Sequence, residues 1–303
     1  GWLEGSRRLV VVPSGKLNFL PFEALVASAG AKPAYLAEKY VVRYAPGLNV
    51  LYMAQDRKEK RGGLLNGNGW LGFGDAVYQE QCDGRARRRR MAENSRGMVE
   101  SYTRAEGPGE GGKPVFCRIP YTGDEVKNIA RLFAAAKADA VPVLGENASE
   151  TGFRLLAPAG RRFVHLACHG ALISGTGQPA LVLSLFGNSG GDDGFLTASE
   201  IMDISAPAGT VVLSACDTGR GKEEAGEGVS GMARAFMHAG ADSVVVSMWS
   251  IADKETRDLM VSFYKNVVSG QDGPEAFAAA RRAMIGKGMH PYFWAPFVYY
   301  GAE

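Results

Sequence analysis

A cysteine and a histidine, each at the end of an apolar run, are the residues of this chain best suited to nucleophilic chemistry. The run 163–170 contains His169, and the run 210–217 contains Cys216. A thiol attacks well only as a thiolate, and a free cysteine with a pKa of about 8.5 is mostly protonated at neutral pH. A neighbouring imidazole can accept that proton and later return it to a leaving amine. The pair predicts a cysteine peptidase.

The elements that carry this pair read as short β-strands that are buried on both faces. Such runs are typical of a parallel sheet covered by helices, where sites form beyond the carboxyl ends of the strands. The stretch between the two runs is long enough for one crossover connection, so we expect His169 and Cys216 to meet at one edge. Gly170 has no Cβ, which lets its N–H approach a substrate carbonyl closely. The loop and helix after Cys216 favour an anion.

Two residues close to His169 are predicted to be structural. Cys168 is adjacent to His169, so on one strand their side chains point to opposite faces and cannot serve one site. This geometry also argues against a zinc site, and no CxxC pair supports one. His165 lies about 13 Å upstream along the strand and is interpreted as a core or edge histidine with its hydrogen bonds satisfied. Cysteine is often just a small buried apolar residue, so a catalytically silent interaction module remains the alternative.

Composition describes an ordinary soluble globular protein with one large core or two smaller ones. The 303 residues are 46% hydrophobic and 22% charged, and the net charge of +2 argues against a protein-wide field for nucleic acid. Four cysteines do not form a disulfide framework, which predicts a reducing cytoplasm. Neither a membrane-spanning run nor a signal peptide is found. A start at Gly1 without Met suggests a fragment of a larger protein.

Strand patterns alternate with helical ones, which predicts an α/β fold with a largely parallel sheet. The predicted strands are 9–13, 41–46, 70–74, 141–144, 163–170, 179–184, 210–217, 243–249 and 296–300. The predicted helices are 20–25, 123–133, 149–158, 197–202, 229–237, 253–269 and 274–285. Residues 79–113 are basic, glycine-rich and without apolar periodicity, so we expect an exposed insertion. We divide the chain into an N-terminal part, 1–120, which includes this insertion, and a core, 121–303.

Several segments, in the same order along the chain, resemble the CHAT domain, a group of caspase-like cysteine peptidases related to caspases and separases. They are 12–13, 20–25, 71–75, 165–170, 194–201, 211–219, 226–228, 243–251 and 290–297. The resemblance implies a caspase–hemoglobinase-like fold, with a mostly parallel central sheet flanked by helices. It implies that His169 and Cys216 are catalytic, as the residues themselves predict. The N–H groups of Gly170 and Cys216 would form the oxyanion hole.

The resemblance also implies a preference at P1, the substrate residue before the cleaved bond. Separases carry an acidic residue shortly after the Trp of the next strand, and Asp253 stands in the similar stretch here. A carboxylate in a pocket pairs well with Arg or Lys, and we expect Arg over Lys. Asp217 is the second candidate, while Asp253 suits the N-cap of the following helix equally well. The basic run Arg87, Arg88, Arg89 and Arg90 is then a predicted self-processing or inhibitory site, with a solvated loop as the alternative.

The implied partners are a protein substrate and an upstream tetratricopeptide-repeat or sensor domain, in a bacterial defence or death-type pathway. We expect no membrane, no metal and no cofactor. We also expect no direct nucleic-acid binding, because no aromatic residues are interleaved with the basic run. Nucleotide binding by the Gly-rich loop 218–228 is the remaining alternative. Its spacing is not that of a phosphate-binding loop, and Glu223, Glu224 and Glu227 would repel phosphate.

Overall fold

Strands from both halves of the chain form one central sheet in the computed structural model, which describes residues 5–28, 30, 33–62, 69–78, 106–108, 114–173, 176, 178–214, 228–249 and 253–302. Within these residues the sheet has eight strands. In spatial order they are β1 (Arg8–Val11), β4 (Val41–Tyr44), β15 (Phe297–Gly301), β14 (Ala241–Ser247), β13 (Ala208–Leu213), β9 (Arg161–Leu166), β5 (Trp70–Gly74) and β8 (Ala140–Leu144).

Strand direction divides this sheet into two blocks. Neighbouring strands run parallel everywhere except between β14 and β15. The strands β14, β13, β9, β5 and β8 therefore share one direction, and their carboxyl ends lie at one edge. This arrangement confirms the predicted α/β class with a mostly parallel central sheet.

Helices cover the sheet on both faces. They are α1 (Leu36–Lys39), α2 (Leu48–Arg61), α3 (Pro120–Ala135), α4 (Glu150–Leu156), α5 (Ala198–Asp203), α6 (Gly228–His238), α7 (Asp253–Val268), α8 (Gly273–Gly286) and α9 (Pro291–Trp294). Successive strand residues face opposite layers. In β13, Val211 and Leu213 belong to the apolar cluster that contains α6 residues, whereas Val212 belongs to the cluster that contains residues of α3, α7 and α8. Burial on both faces explains why the strands read as continuous apolar runs.

Smaller ladders lie beside the central sheet. One is antiparallel and joins β10 (His169–Leu172), β11 (Pro179–Val182) and β12 (Phe195–Thr197). The others pair β2 (Val26–Ser28) with β3 (Ala34–Tyr35), and β6 (Glu106–Pro108) with β7 (Pro114–Val115). The β6–β7 pair shows that part of the insertion 79–113 is ordered into a ladder, whereas the Arg87–Arg90 run lies outside the described residues.

The expected single strand over 163–170 is wrong, because β9 ends at Leu166 and His169 begins β10. Ala167 still donates its N–H to the carbonyl of Phe73 on the neighbouring strand, at 2.8 Å. From His169 onward the chain instead pairs with β11, where His169 lies opposite Val182. The chain therefore changes sheets at Ala167–Cys168.

Some helix boundaries also differ from the sequence-based expectation. Helix α3 begins at Pro120 rather than at 123, because proline suits the first helical turn. The predicted helix 20–25 is a 3₁₀ turn over Phe22–Ala24, preceded by another over Gly15–Phe19. Helix α2 was not predicted, and only Ala54 is buried among its residues, which leaves little apolar periodicity to detect.

A buried ion pair ties the N-terminal turns to the C-terminal helices. Glu23 and Arg281 are 0% and 2% exposed, and Glu23 Oε1 lies 3.2 Å from Arg281 Nη2. The Tyr44 hydroxyl donates to Glu23 Oε2 at 2.5 Å. Arg281 also donates to the carbonyls of Trp294 and Phe297, at 3.2 and 2.7 Å. The charges are thus removed from water but closely matched by polar partners, as buried charges require.

Across the described ranges, no helix has the length and apolar character needed to cross a membrane.

Candidate active site

The carboxyl ends of adjacent strands β5, β9 and β13 bring the chemistry-bearing segments to one edge. Leu166 of β9 lies in register with Leu213 of β13 on one side and with Phe73 of β5 on the other. His169 is the third residue after Leu166, and Cys216 is the third after Leu213. Cys216 and its neighbour Asp217 lie outside the described residues, so their roles stay predictions.

His169 is held in an aromatic cage and is only 9% exposed. The Tyr78 ring meets its imidazole edge-on with centroids 4.8 Å apart, and the Phe116 ring is tilted against it at 5.4 Å. The backbone N–H of His169 donates to the Tyr78 hydroxyl at 3.4 Å, and that hydroxyl donates to the Val182 carbonyl at 3.0 Å. Burial raises the pKa of Tyr78 well above its usual value, so the phenol stays a neutral donor.

One ring nitrogen of His169 is engaged by a backbone carbonyl. His169 Nε2 lies 2.6 Å from the carbonyl oxygen of Cys117. A carbonyl can only accept, so Nε2 must carry the proton. The neutral imidazole then keeps its lone pair on Nδ1, which is the atom able to take a proton from a nucleophile. The contact therefore assigns separate roles to the two nitrogens.

Gly170 follows His169 in β10 and lies opposite Leu181 of β11. The antiparallel pairing anchors this segment beside the carboxyl edge. Its expected part in the oxyanion hole remains a prediction.

The structural interpretation of His165 is confirmed. The residue is fully buried, its Nε2 lies 2.8 Å from Glu125 Oε1, and its Nδ1 lies 3.3 Å from the Tyr264 hydroxyl. Cys168 is a buried thiol inside the apolar cluster that contains Leu166.

Trp249 and Asp253 follow β14 at the same edge of the sheet. The Trp249 ring stacks on Tyr292 with centroids 6.3 Å apart and an interplanar angle of 27°, and its Nε1 donates to the Tyr292 carbonyl at 3.1 Å. Asp253 is half-buried in the first turn of α7, where a carboxylate is favoured by the helix dipole. Its expected role toward a basic P1 side chain is still a prediction.

An acidic residue and an arginine near His169 were not singled out by sequence reasoning. Asp75 directly follows β5, and its carboxylate accepts from Arg118 Nε and Nη2 at 2.7 and 3.0 Å. The caging residues Tyr78, Phe116 and Cys117 were missed as well. Tyr78 and Phe116 stand just before and just after the insertion 79–113, which is the one signal in the sequence that could have drawn attention to them.

Within the described residues, no group of three or more His, Cys, Asp or Glu side chains is arranged to hold a metal ion. Cys117 is disulfide-bonded, which the sequence did not predict.

A solved structure of separase has a similar fold. The separase–securin complex of Saccharomyces cerevisiae matches with a TM-score of 0.51 and 13% identity, over 97% of this chain and 15% of that chain. The Arg-specific cysteine proteinase gingipain R gives a TM-score of 0.45 and 11% identity, over 98% of this chain and 77% of that chain. At such identities the separase match shows the fold alone, which is of the caspase–hemoglobinase type.

Curated relatives match a shorter part of the chain. Tetratricopeptide repeat protein 28 of Homo sapiens is 30% identical over 110 residues, which is 36% of this chain, and that of Mus musculus is 27% identical over 110 residues. The chain spans about 4% of the length of these relatives. The model of the CHAT domain matches residues 2–302, which is nearly the whole chain. This protein therefore belongs to the CHAT domain family.

Proposed function

We propose that this CHAT domain is a cysteine endopeptidase with Cys216 as nucleophile and His169 as general base. The observation that carries the proposal is the register of Leu166 opposite Leu213. Because His169 and Cys216 are each the third residue after these leucines, both follow their strands by the same number of residues. Neighbouring strands are about 4.8 Å apart, so the segments that lead from β9 to His169 and from β13 to Cys216 begin close together at one edge. The contact between His169 Nε2 and the Cys117 carbonyl supports the same assignment, because it leaves Nδ1 as the proton acceptor.

The proposed reaction moves two protons through His169, one in acylation and one in deacylation. His169 Nδ1 takes the proton of the Cys216 thiol, and the thiolate sulfur attacks the carbonyl carbon of the scissile peptide bond. The tetrahedral intermediate expels the amine, which leaves with the proton from His169, and a thioester remains on Cys216. Water then gives a proton to His169 and attacks the thioester, releasing the carboxylic acid and restoring the thiol.

Backbone N–H groups are proposed to stabilise the negative charge that develops on the carbonyl oxygen. In our proposal these donors are the backbone N–H groups of Gly170 and Cys216. Such donors act strongly because they are already oriented before the charge appears.

The alternative of a catalytically silent interaction module is separated from the enzyme by labelling. A peptide chloromethyl ketone with P1 Arg is expected to alkylate Cys216 in the wild type and not in His169→Ala. The reaction should contain a thiol reductant, because Cys117 is disulfide-bonded. Equal labelling of both proteins would favour the silent module.

For P1 we propose Arg over Lys, with Asp253 and Asp217 lining the pocket. Asp253→Asn is expected to lower kcat/KM for P1 Arg peptides by about tenfold to a hundredfold, since one charge-assisted contact is lost. A panel of fluorogenic peptides that differ only at P1 measures this. Glu255→Gln is the matched control, because Glu255 lies in the same first turn of α7. Best turnover on P1 Asp or an aliphatic residue would contradict the basic preference.

Substrates and self-processing can be found together. One lysate is treated with the wild-type protein and another with Cys216→Ala, and the new N-termini in each are identified by proteomics. N-termini found only with the wild type report peptidase activity, the P1 residue and the substrate proteins. In the same samples, a new N-terminus of the chain itself within Arg87–Arg90 would identify the basic run as a processing site. Its absence in an otherwise active sample would favour the solvated loop.

We further propose that this domain acts in the cytoplasm as the protease part of a larger protein with upstream tetratricopeptide repeats or a sensor. The human and mouse relatives are tetratricopeptide repeat proteins, which supports such repeats as the upstream partner. We propose a bacterial defence or death-type pathway on the basis of the family resemblance.

A further inference from the structure

We propose that the ion pair between Asp75 and Arg118 is a positioning device for His169. It fixes the backbone segment whose carbonyl, at Cys117, accepts the hydrogen bond from His169 Nε2. This inference rests on the proposed function for its catalytic meaning, but its main readout is independent of catalysis.

The pair is bidentate and joins two segments that end beside the imidazole. Arg118 Nε and Nη2 contact the two carboxylate oxygens of Asp75 at 2.7 and 3.0 Å. This fork geometry restricts the guanidinium to one orientation, which a lysine ammonium cannot do. The Asp75 side chain is 19% exposed and that of Arg118 is 69% exposed. The carboxylate is therefore the fixed partner, and the arginine is held against it.

Asp75 is itself held by its backbone and by the start of α3. It has a φ of +52°, in the left-handed region that aspartate tolerates better than most residues. Its N–H donates to Thr122 Oγ1 at 3.0 Å, and that hydroxyl donates to the Ile119 carbonyl at 2.8 Å. A Cβ added at Gly123 would lie 3.0 Å from the Asp75 Cβ, so the Asp75 side chain packs closely on the backbone of Gly123. Asp75 thus holds both ends of the turn 118–122.

Cys117 lies between two anchored residues. Phe116 packs on the His169 ring with centroids 5.4 Å apart, and Arg118 is bound to Asp75. In addition to the disulfide of Cys117 itself, these two neighbours hold its carbonyl at 2.6 Å from His169 Nε2. If Arg118 is released, the carbonyl loses one of these anchors, and the imidazole loses the contact that keeps its proton on Nε2. Less of the enzyme then has an unprotonated Nδ1 facing the nucleophile.

The expected kinetic effect is a moderate decrease in kcat with little change in KM. Arg118→Gln should lower kcat by about threefold to tenfold, as expected for an exposed pair that acts through a single hydrogen bond. The KM for a peptide should change by less than about twofold, because Arg118 does not take part in the proposed substrate pocket. Asp75→Asn should give the same pattern, and Arg118→Lys should recover part of kcat.

The decisive measurement is the tautomer of His169 by long-range ¹H–¹⁵N correlation spectra of the imidazole rings, recorded in a thiol reductant. The chain has four histidines, and the signals missing in His169→Ala identify those of His169. The wild type should show a ring protonated at Nε2, and Arg118→Gln should show a mixture of the two tautomers. Arg8→Gln is the matched control, since Arg8 forms a 2.6 Å pair with Asp272 that involves the far strand β1. It should leave the His169 signals unchanged.

The outcomes separate this inference from the proposed function. Unchanged His169 signals and unchanged kcat in Arg118→Gln would overturn the positioning role while leaving the peptidase intact. A tautomer change in a chain that cleaves no peptide would support the positioning role and count against the peptidase. If Arg118→Gln does not fold, the same spectra are recorded for Arg118→Lys, because a lysine keeps the charge and loses only the fork geometry. A mixture of His169 tautomers in that variant supports the positioning role, and an unchanged ring protonated at Nε2 contradicts it.

Discussion

Replacing Cys216 by Ala, or His169 by Ala, is expected to lower kcat for a cleaved peptide by about 10⁴-fold or more, because nucleophile and base act as one unit. For the same reason the double variant should be no slower than the slower single variant. Steady-state hydrolysis of a fluorogenic peptide measures the loss. Residual activity above about 1% in Cys216→Ala would identify another nucleophile and end the assignment.

Controls for this experiment come from the neighbouring thiol and from alkylation. Cys168→Ala should keep kcat within about tenfold, since Cys168 is a buried core thiol. Iodoacetamide reacts with the thiolate, so its rate against pH reports the ionisation of Cys216. In His169→Ala this profile should move up toward the ordinary thiol pKa of about 8.5. An identical profile in both proteins would show that the imidazole does not reach the sulfur.

Replacing Arg281 by Met should lower the free energy of unfolding by about 3–5 kcal/mol, because it leaves the Glu23 carboxylate buried without its cation. Glu23 is fully buried, and in the variant the Tyr44 hydroxyl still donates to its carboxylate. Urea unfolding followed by tryptophan fluorescence measures the loss. The double variant Glu23→Gln with Arg281→Met removes both charges and should recover most of the stability.

The same variant should show a pH dependence with a definite sign. Burial raises the pKa of the Glu23 carboxyl above its usual value, while the charge of Arg281 opposes the rise. Without Arg281 the folded-state pKa rises further, so the folded state retains a proton that the unfolded chain loses. The stability deficit relative to wild type is then smallest below the ordinary carboxyl pKa of about 4.3 and grows as the pH rises. A deficit that is equal at pH 5 and pH 8 would contradict this account.

The sequence predicts the central strands well and their connections less well. Burial on both faces produces unbroken apolar runs, and the run around Trp70 matches β5 in both bounds. The run 163–170 was wrongly predicted as one strand, because its apolar composition continues across the point where the chain leaves one sheet for another. Only pairing with β11, which lies later in the chain, places the boundary before His169.

Residue types identify His169 as a candidate base, but not what holds it. Its Nε2 partner is a backbone carbonyl, which every residue possesses and which therefore has no sequence signature. Its cage comes from Tyr78 and Phe116, which are separated in sequence by the insertion 79–113 and close together in the fold. The meeting of Cys216 with His169 stays a prediction, since Cys216 lies outside the described residues.

The position of β15 has a consequence for the order of assembly during translation. Within the described residues, the N-terminal strands β1 and β4 join the rest of the sheet through β15, which pairs Tyr300 with Tyr44 and lies between β4 and β14. A nascent chain must therefore carry β1 and β4 unattached while every intervening strand emerges from the ribosome. Contacts so distant in sequence form slowly. We expect the β14 edge to stay open until then, as a surface that a chaperone would need to shield.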